Sequence, residues 1–245
     1  MDNTLIGAES RRRIYLLRHG DVSYVTDVGE RVPDPELVHL TDTGQAQAAA
    51  MGDLLRQVTF DRAVCSGLLR TKQTIAPIIE GRGLSLEEVP GLKEIHSGGE
   101  YPEPRDDGLP DHVHILDRAD DPELRWAGGE VIGEFRDRII DNLVPILEQP
   151  GWNSMVMVLH GMVNRAVLSW VTRGGVIGMA GFEQDTCCLN IIDVDVRDNK
   201  IQRRFVRQVN VLPDNITMQG RYQTTLERGY AIWQKKQLQG QKASS

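Results

Sequence analysis

The stretch that decides the fold is "IYLLRHGDVSYV", residues 14–25. Its first four residues form an apolar run, typical of a short buried strand, which ends abruptly at Arg18, His19 and Gly20. In open α/β sheets, ligands bind just beyond the carboxyl ends of the strands. A guanidinium and an imidazole at this point therefore indicate a site for an anion.

Two other apolar runs are followed by polar side chains in the same way. The run at 62–65 leads into "SGLLR", which places Arg70 in the first turn of the next helix. The run at 155–159 is followed directly by His160 and Gly161. We therefore expect two arginines and two histidines to converge at one edge of a sheet.

The order of strands and helices predicts the fold class. Two more strands are expected, at 189–194 and within 201–212, the latter at a sheet edge. Helical patterns lie between the strands, and alternation of this kind implies βαβ units. We expect a three-layer α/β/α sandwich with a mainly parallel sheet. Four helices are expected, over 40–57, from about 68 to 81, from about 130 to 150, and over 162–175. Thr41 or Thr43 is the expected N-cap of the first helix, and Pro77 should kink or shorten the second. Gly174–Gly175 is the expected C-terminal cap of the fourth helix.

Residues 1–245 are expected to form a single α/β domain with two additions. An irregular cap insertion at about 96–129 is long for a loop, so it either serves function or contains helix that periodicity does not show. A helical extension at about 220–240 carries an aromatic and leucine stripe, whose spacing favours core packing over a partner surface. The helix could also pack on a second copy, so a homodimer is left open. The stripe consists of Tyr222, Leu226, Tyr230 and Trp233.

Composition excludes several classes of protein. The formal net charge of −7 argues against a nucleic-acid partner or an anionic membrane surface. Apolar runs near twenty residues and the order of a signal peptide are both missing from the sequence, so a cytoplasmic location without a membrane partner is expected. Cys65, Cys187 and Cys188 are odd in number and lack a framework spacing, which favours buried free thiols in a reducing compartment.

The converging residue types are those that phosphoryl transfer needs. Guanidinium groups bind phosphate oxygens in pairs, and a neutral imidazole can attack phosphorus to form a covalent intermediate. Because arginines can neutralise the developing charge, this chemistry requires no metal or cofactor. A metal site at His96, His112 and His114 is not favoured, since the segment around them shows no strand pattern.

Five blocks of the sequence resemble those of the histidine phosphatase superfamily, which has the phosphoglycerate-mutase-like fold. In chain order they are "LLRHG", "CSGLLRTKQT", "LKEIHSGGEYPE", "GGE" at 128–130 and "LHGMVNRAVL". The resemblance covers roughly residues 13–195. It implies that His19 is the phosphorylated nucleophile and that Arg18, Arg70 and His160 form the phosphate pocket. It also implies that Glu94 donates a proton to the leaving group.

The role of Glu94 has a chemical reason of its own, because the leaving oxygen of a phosphomonoester needs a proton. A carboxyl shielded from water can hold one near neutral pH. Spacing alone leaves four rivals open in the same irregular region, and only the resemblance selects Glu94. The rivals are Glu100, Glu103, Asp106 and Asp107.

The sequence also departs from the family pattern. The hydroxyl and amide residues that many members carry after RHG are replaced here by "DVSYV", and Ser23 or Ser66 is a candidate to compensate. The basic block that surrounds the donor in phosphoglycerate mutases is replaced by "KEIHSGGEYPEPRDD". We therefore expect hydrolysis of a small organic phosphomonoester. Two alternatives remain, a phosphoglycerate-mutase-type phosphotransferase and a non-catalytic protein that binds a phosphorylated ligand.

Overall fold

The computed structural model describes residues 5, 8–26, 30, 32–99 and 113–243, with residues 236–243 as helical backbone alone. Within these ranges, six strands and five α-helices alternate along most of the chain. They are β1 (Ser10–Arg18), α1 (Asp42–Leu54), β2 (Arg62–Cys65), α2 (Leu69–Ile79), β3 (Leu86–Glu88), α3 (Ile132–Glu148), β4 (Ser154–Leu159), α4 (Gly161–Thr172), β5 (Leu189–Arg197), β6 (Lys200–Val211) and α5 (Thr225–Ala243).

The strands form one sheet with the order β3-β2-β4-β1-β5-β6. The strands β3, β2, β4 and β1 are parallel to one another, whereas β5 is antiparallel to both β1 and β6. The mainly parallel sheet is confirmed, and β6 lies at its edge as predicted. Because β2, β4 and β1 are adjacent and parallel, the residues that follow them meet at one edge.

Side chains of the central strands alternate between two cores, as the pleat requires. In β4, Met155 and Met157 join the larger core, which contains side chains of α3 and α4. Val156 and Val158 join the smaller core, which contains side chains of α1 and α2. The sheet therefore lies between two helical layers, and the predicted three-layer sandwich is confirmed.

The helix ends confirm some of the predicted boundaries and correct others. Of the two candidates, Thr41 is the N-cap of α1, and its hydroxyl accepts from the backbone N–H of Gly44 at 3.1 Å. Pro77 lies inside α2, which continues to Ile79. The missed strand β3 has the sequence Leu-Glu-Glu, which is too short and too polar to show as an apolar run.

The predicted C-terminal cap at Gly174–Gly175 is wrong. Arg173 ends α4 in the left-handed conformation, with φ of 64°. Gly174 donates its N–H to the carbonyl of Ser169 at 2.9 Å, and a Cβ on Gly174 would lie 2.9 Å from the Cα of Gly178. The glycine is thus required by close packing and not by the turn.

The prediction that the stripe of the C-terminal helix packs in the core is also wrong. Tyr222 precedes α5 and is 93% exposed, and Trp233 is 37% exposed. Leu226 and Tyr230 are only partly buried. Tyr230 and Trp233 stack on each other instead, with ring centroids 5.8 Å apart. Helical spacing aligns such side chains but does not decide what covers them.

The predicted irregular segment at 96–129 is described at 96–99 and 113–129. It contains a 3-10 turn, Ile115–Arg118, which is too short to produce helical periodicity. Ile115, Leu116 and Leu124 are buried in the larger core, so this part packs against the domain. His112 and the four acidic rivals of Glu94 lie outside the described residues.

All three cysteines are buried and free, as predicted. Burial raises the pKa of the Cys187 and Cys188 thiols to about 12. These thiols therefore behave as small apolar side chains at neutral pH. In the part of the chain that the structure describes, no helix is long and apolar enough to cross a bilayer.

Candidate active site

Three strand ends place the predicted site residues side by side. In the sheet register, Arg18 of β1 pairs with Leu159 of β4, and Val158 of β4 pairs with Cys65 of β2. The residues that follow these strands are His19, His160 and Ser66. Since β4 lies between β2 and β1, His160 is flanked by both neighbours, and the predicted convergence is observed.

His19 is buried, with 1% of its surface exposed. Its Nδ1 is 2.8 Å from the carbonyl oxygen of Gly20. Because a carbonyl only accepts hydrogen bonds, Nδ1 carries the proton of the neutral ring and Nε2 keeps its lone pair. Burial, followed by the charges of Arg18 and Arg70, holds the pKa of His19 well below its usual value. The structure therefore provides a neutral imidazole with an unprotonated Nε2.

His160 stands next to His19, with the two ring centroids 5.3 Å apart in an edge-to-face arrangement. Its Nε2 is 2.8 Å from the hydroxyl oxygen of Ser66. Its Nδ1 is buried and has no hydrogen-bond partner among the residues that the structure describes. Burial, together with the proximity of His19 and the two arginines, also keeps the pKa of His160 well below its usual value. Nδ1 is therefore the nitrogen with free capacity toward a ligand.

Arg18 and Arg70 are each held by one backbone carbonyl. The Nη1 of Arg18 donates to the carbonyl of Gln184 at 2.6 Å, and the Nη1 of Arg70 donates to that of Pro35 at 2.9 Å. The Nε atoms of both arginines are buried and find no acceptor within the described ranges. Buried donors without acceptors are costly, so an anion that accepts from them is bound favourably.

Glu94 follows β3 and the 3-10 turn Pro90–Leu92, and its side chain reaches the first turn of α4. Its Oε1 accepts from the backbone N–H of Ile95 at 3.1 Å, and its Oε2 accepts from that of Met162 at 3.2 Å. These bonds, and the nearby Arg18 and Arg70, favour the carboxylate, but burial outweighs them and raises the pKa of Glu94. A carboxyl of this kind holds a proton at a higher pH than an exposed glutamate does.

The sequence and the fold of the chain match one protein family. A model of the histidine phosphatase superfamily (branch 1) matches residues 14–206, which is most of the chain. The chain is an enzyme of the histidine phosphatase superfamily. The resemblance drawn from the five sequence blocks is thereby confirmed.

Known relatives of the chain include proteins named as phosphatases and as probable mutases. An acid phosphatase from Mycobacterium tuberculosis is 32% identical over 167 residues, which are 65% of this chain and 75% of the relative. A probable phosphoglycerate mutase from Yersinia pestis is 28% identical over 164 residues, or 64% and 73% of the two chains. The solved structure of a mycobacterial glucosyl-3-phosphoglycerate phosphatase covers 82% of this chain and 99% of its own, with 21% identity and a TM-score of 0.62. That likeness shows the phosphoglycerate-mutase-like fold.

The loop after β1 is fixed by α1 and α2. The N–H of Gly20 donates to the hydroxyl of Thr74 at 2.9 Å, and the N–H of Asp21 donates to the Gln47 side chain at 2.9 Å. A Cβ on Gly20 would lie 2.7 Å from the carbonyl oxygen of Gly44. Gly20 is therefore needed for contact with α1, a reason that the sequence did not show.

The two serines considered as substitutes for the missing family residues make other contacts. Ser23 is exposed and donates to the carbonyl of Val25 at 2.6 Å. Ser66 is fully buried and bonds to His160. Ser66 therefore orients a pocket residue, and Ser23 lies in a local turn of the loop.

Gln184 is a site residue that the sequence did not reveal. It lies in the glycine-rich segment before β5, is fully buried, and holds Arg18 through its main-chain oxygen. Its side-chain oxygen accepts from Asn164 at 3.1 Å and from Asn190 at 2.8 Å. No sequence signal marks a residue that acts through its carbonyl, since every residue type has one.

Proposed function

We propose that this histidine phosphatase is a metal-independent phosphomonoester hydrolase that acts through a phosphohistidine intermediate on a small organic phosphate. The observation that carries the proposal is the set of buried polar atoms around His19. The Nε atoms of Arg18 and Arg70 and the Nδ1 of His160 are buried without partners in the described structure, next to an imidazole whose Nε2 has a free lone pair. A phosphoryl group would satisfy all three atoms while it faces the nucleophile.

In the first step, the lone pair of His19 Nε2 forms a bond to phosphorus while the bond from phosphorus to the leaving oxygen breaks. The guanidinium groups of Arg18 and Arg70 take up the charge that develops on the phosphoryl oxygens. Glu94 gives its proton to the leaving oxygen, which departs as an alcohol. The burial that raises the pKa of Glu94 keeps this proton available.

In the second step, water attacks the phosphorus of the phosphohistidine. The Glu94 carboxylate takes a proton from the water as the new P–O bond forms, and the P–N bond breaks. His19 regains its lone pair, Glu94 regains its proton, and inorganic phosphate leaves. The same carboxyl group therefore acts as acid in one step and as base in the other.

The charges near Glu94 support a small monoester over a bisphosphate. Apart from Arg18 and Arg70, two cations of the described structure lie on or against the chain segment that carries Glu94, and both are paired, Lys93 with Glu36 at 2.7 Å and Arg138 with Glu130 at 2.8 Å. A second phosphate would need unpaired cations at this side of the pocket. We also propose that residues 96–129 form a cap on the single domain and select the leaving group.

The test is hydrolysis of p-nitrophenyl phosphate in the presence of EDTA by wild type, His19→Ala and His39→Ala. His39 is an exposed histidine outside the proposed pocket, so its variant is the matched control. We expect turnover in wild type and in the control, and loss of turnover in His19→Ala. When the phosphoryl group of the ester is labelled, quenching with a denaturant that contains no acid should trap the labelled phosphoryl group on the wild-type protein and not on His19→Ala.

The alternatives predict different results. A phosphotransferase would pass the label to 3-phosphoglycerate faster than it releases inorganic phosphate. A protein that only binds phosphorylated ligands would bind vanadate but show no turnover on a panel of monoesters. Turnover that EDTA abolishes, or that His19→Ala retains, would contradict the proposed mechanism.

A further inference from the structure

We propose that Arg138 and Glu130 are positioning residues that hold Glu94 in the orientation needed for proton transfer. The inference rests on the proposed function, because it concerns the group that protonates the leaving oxygen. Neither residue contacts His19 or the two pocket arginines by a hydrogen bond in the described structure. Within the described residues, the hydrogen bonds of their side chains go to each other and to the segment of chain that carries Glu94, residues 91–96.

Arg138, in the second turn of α3, binds this segment before Glu94. Its Nη1 donates to the carbonyl of Gly91 at 2.8 Å and to that of Lys93 at 3.2 Å. One guanidinium nitrogen thus fixes the residue directly before Glu94 and the residue three before it. Its other nitrogens, Nε and Nη2, donate to the two carboxylate oxygens of Glu130 at 2.8 and 2.9 Å.

Glu130 binds the same segment after Glu94. Its Oε2 accepts from the backbone N–H of His96 at 3.1 Å, and its own N–H donates to the carbonyl of His96 at 2.9 Å. The bidentate pair with Arg138 therefore links contacts on both sides of Glu94 in the chain. Two parallel hydrogen bonds between a guanidinium and a carboxylate fix the relative orientation of the two groups as well as the distance between them.

Glycines show how closely the chain around Glu94 approaches residues 127–130 and α3. A Cβ on Gly129 would lie 2.3 Å from the carbonyl oxygen of His96, and a Cβ on Gly98 would lie 2.6 Å from the carbonyl carbon of Gly128. A Cβ on Gly91 would lie 2.0 Å from the side-chain oxygen of Asn142 on α3. The backbone around Glu94 is therefore seated directly on residues 127–130 and on α3.

The pair is sheltered enough to hold its geometry. The side chains of Arg138 and Glu130 are 30% and 18% exposed. Although burial opposes ionisation, hydrogen bonds from Arg138 and from the His96 backbone lower the pKa of Glu130, so the pair stays charged at neutral pH. Glu94, by contrast, is bonded among the described residues only to the backbone N–H groups of Ile95 and Met162, so the path of its backbone decides where its carboxyl lies.

The experiment compares two esters in wild type, Arg138→Met, Glu130→Gln and Arg136→Met. Nitrophenyl phosphate has a leaving group that needs little protonation, whereas an alkyl phosphate depends on the general acid, which contributes about 10²–10⁴-fold. We expect Arg138→Met and Glu130→Gln to lose at least about tenfold more kcat/KM on the alkyl ester than on the nitrophenyl ester. Arg136 lies on the same helix and pairs with Asp137, so Arg136→Met should keep the wild-type kcat/KM on both esters. Vanadate affinity should be unchanged in all three variants.

A double-mutant cycle with Glu94→Gln decides whether the effect passes through Glu94. In the Glu94→Gln background, Arg138→Met should add no further loss that is specific to the alkyl ester. Equal losses on both esters, or fully additive losses in the cycle, would overturn the inference while leaving the proposed hydrolysis intact. A wild type that hydrolyses neither ester would overturn both. Circular dichroism and thermal melting identify any variant that fails to fold, and the milder Glu130→Gln then carries the test.

Discussion

Replacing Gly44 with alanine tests how the loop that carries His19 is held against α1. Gly44 is the third residue of α1, where alanine favours a helix by up to about 1 kcal/mol over glycine. The structure opposes that gain. A Cβ at Gly44 would lie 2.2 Å from the carbonyl oxygen of Asp21 and 2.8 Å from its backbone nitrogen. Both atoms belong to the backbone, so neither can rotate away as a flexible side chain would.

The size of the effect follows from the overlap. An ordinary contact distance of about 3.5 Å requires the loop after β1 and the start of α1 to separate by about 1 Å. Overpacking of this kind costs about 1–3 kcal/mol, which exceeds the gain in helix propensity. We expect Gly44→Ala to lower the free energy of unfolding by about 1–2 kcal/mol. A displacement of about 1 Å in the loop that carries His19 should lower the proposed phosphatase activity by about 10²-fold.

Urea unfolding and hydrolysis of p-nitrophenyl phosphate measure the two effects. The control is Gly229→Ala in α5, where a Cβ would meet nothing within 4 Å. That variant should be as stable as wild type or slightly more stable, with full activity. If Gly44→Ala behaved like Gly229→Ala in both assays, the close packing of α1 against the His19 loop would be refuted.

Two further predictions concern the buried titratable groups. His19 and His160 have lowered pKa values in the fold but protonate near 6.5 when unfolded, so the free energy of unfolding should fall from pH 7.5 toward pH 5. Urea unfolding of His160→Gln should show a shallower fall, and an identical pH dependence would contradict this account. Burial raises the pKa of Cys187 and Cys188 to about 12, so a thiol reagent at neutral pH should modify them only after unfolding in urea. Rapid modification of the native protein would contradict their burial.

The sequence predicted the elements whose signals are strong and local. Runs such as 155–159 are apolar at every position because the strand is buried on both faces, and that pattern is legible without a structure. β3 was missed because three residues, two of them glutamate, carry no such pattern. The predicted burial of the stripe on α5 was wrong because helical spacing shows only that side chains lie on one face of the helix, whereas their exposure depends on which other elements pack against that face.

The site was predictable to the extent that its residues act through their own side chains. His19, His160 and Arg70 each follow a strand, so the topology of a parallel sheet brought them together. Gln184 acts through a carbonyl, and the contacts of Arg138 with Gly91 and Lys93 are also to carbonyls. Contacts of this kind depend on the path of the backbone, which residue types do not specify.

The charges of the proposed pocket explain why two arginines stand beside two histidines. Burial lowers the pKa of His19, and the positive charges of Arg18 and Arg70 lower it further. The arginines therefore favour the neutral ring, which is the form that has a lone pair on Nε2. The same charges would bind the anionic phosphoryl group and stabilise it as the bond to Nε2 forms. Replacing either arginine with a neutral residue would consequently weaken phosphate binding and also raise the pKa of His19, the proposed nucleophile, so that a larger fraction of His19 is protonated at mildly acidic pH.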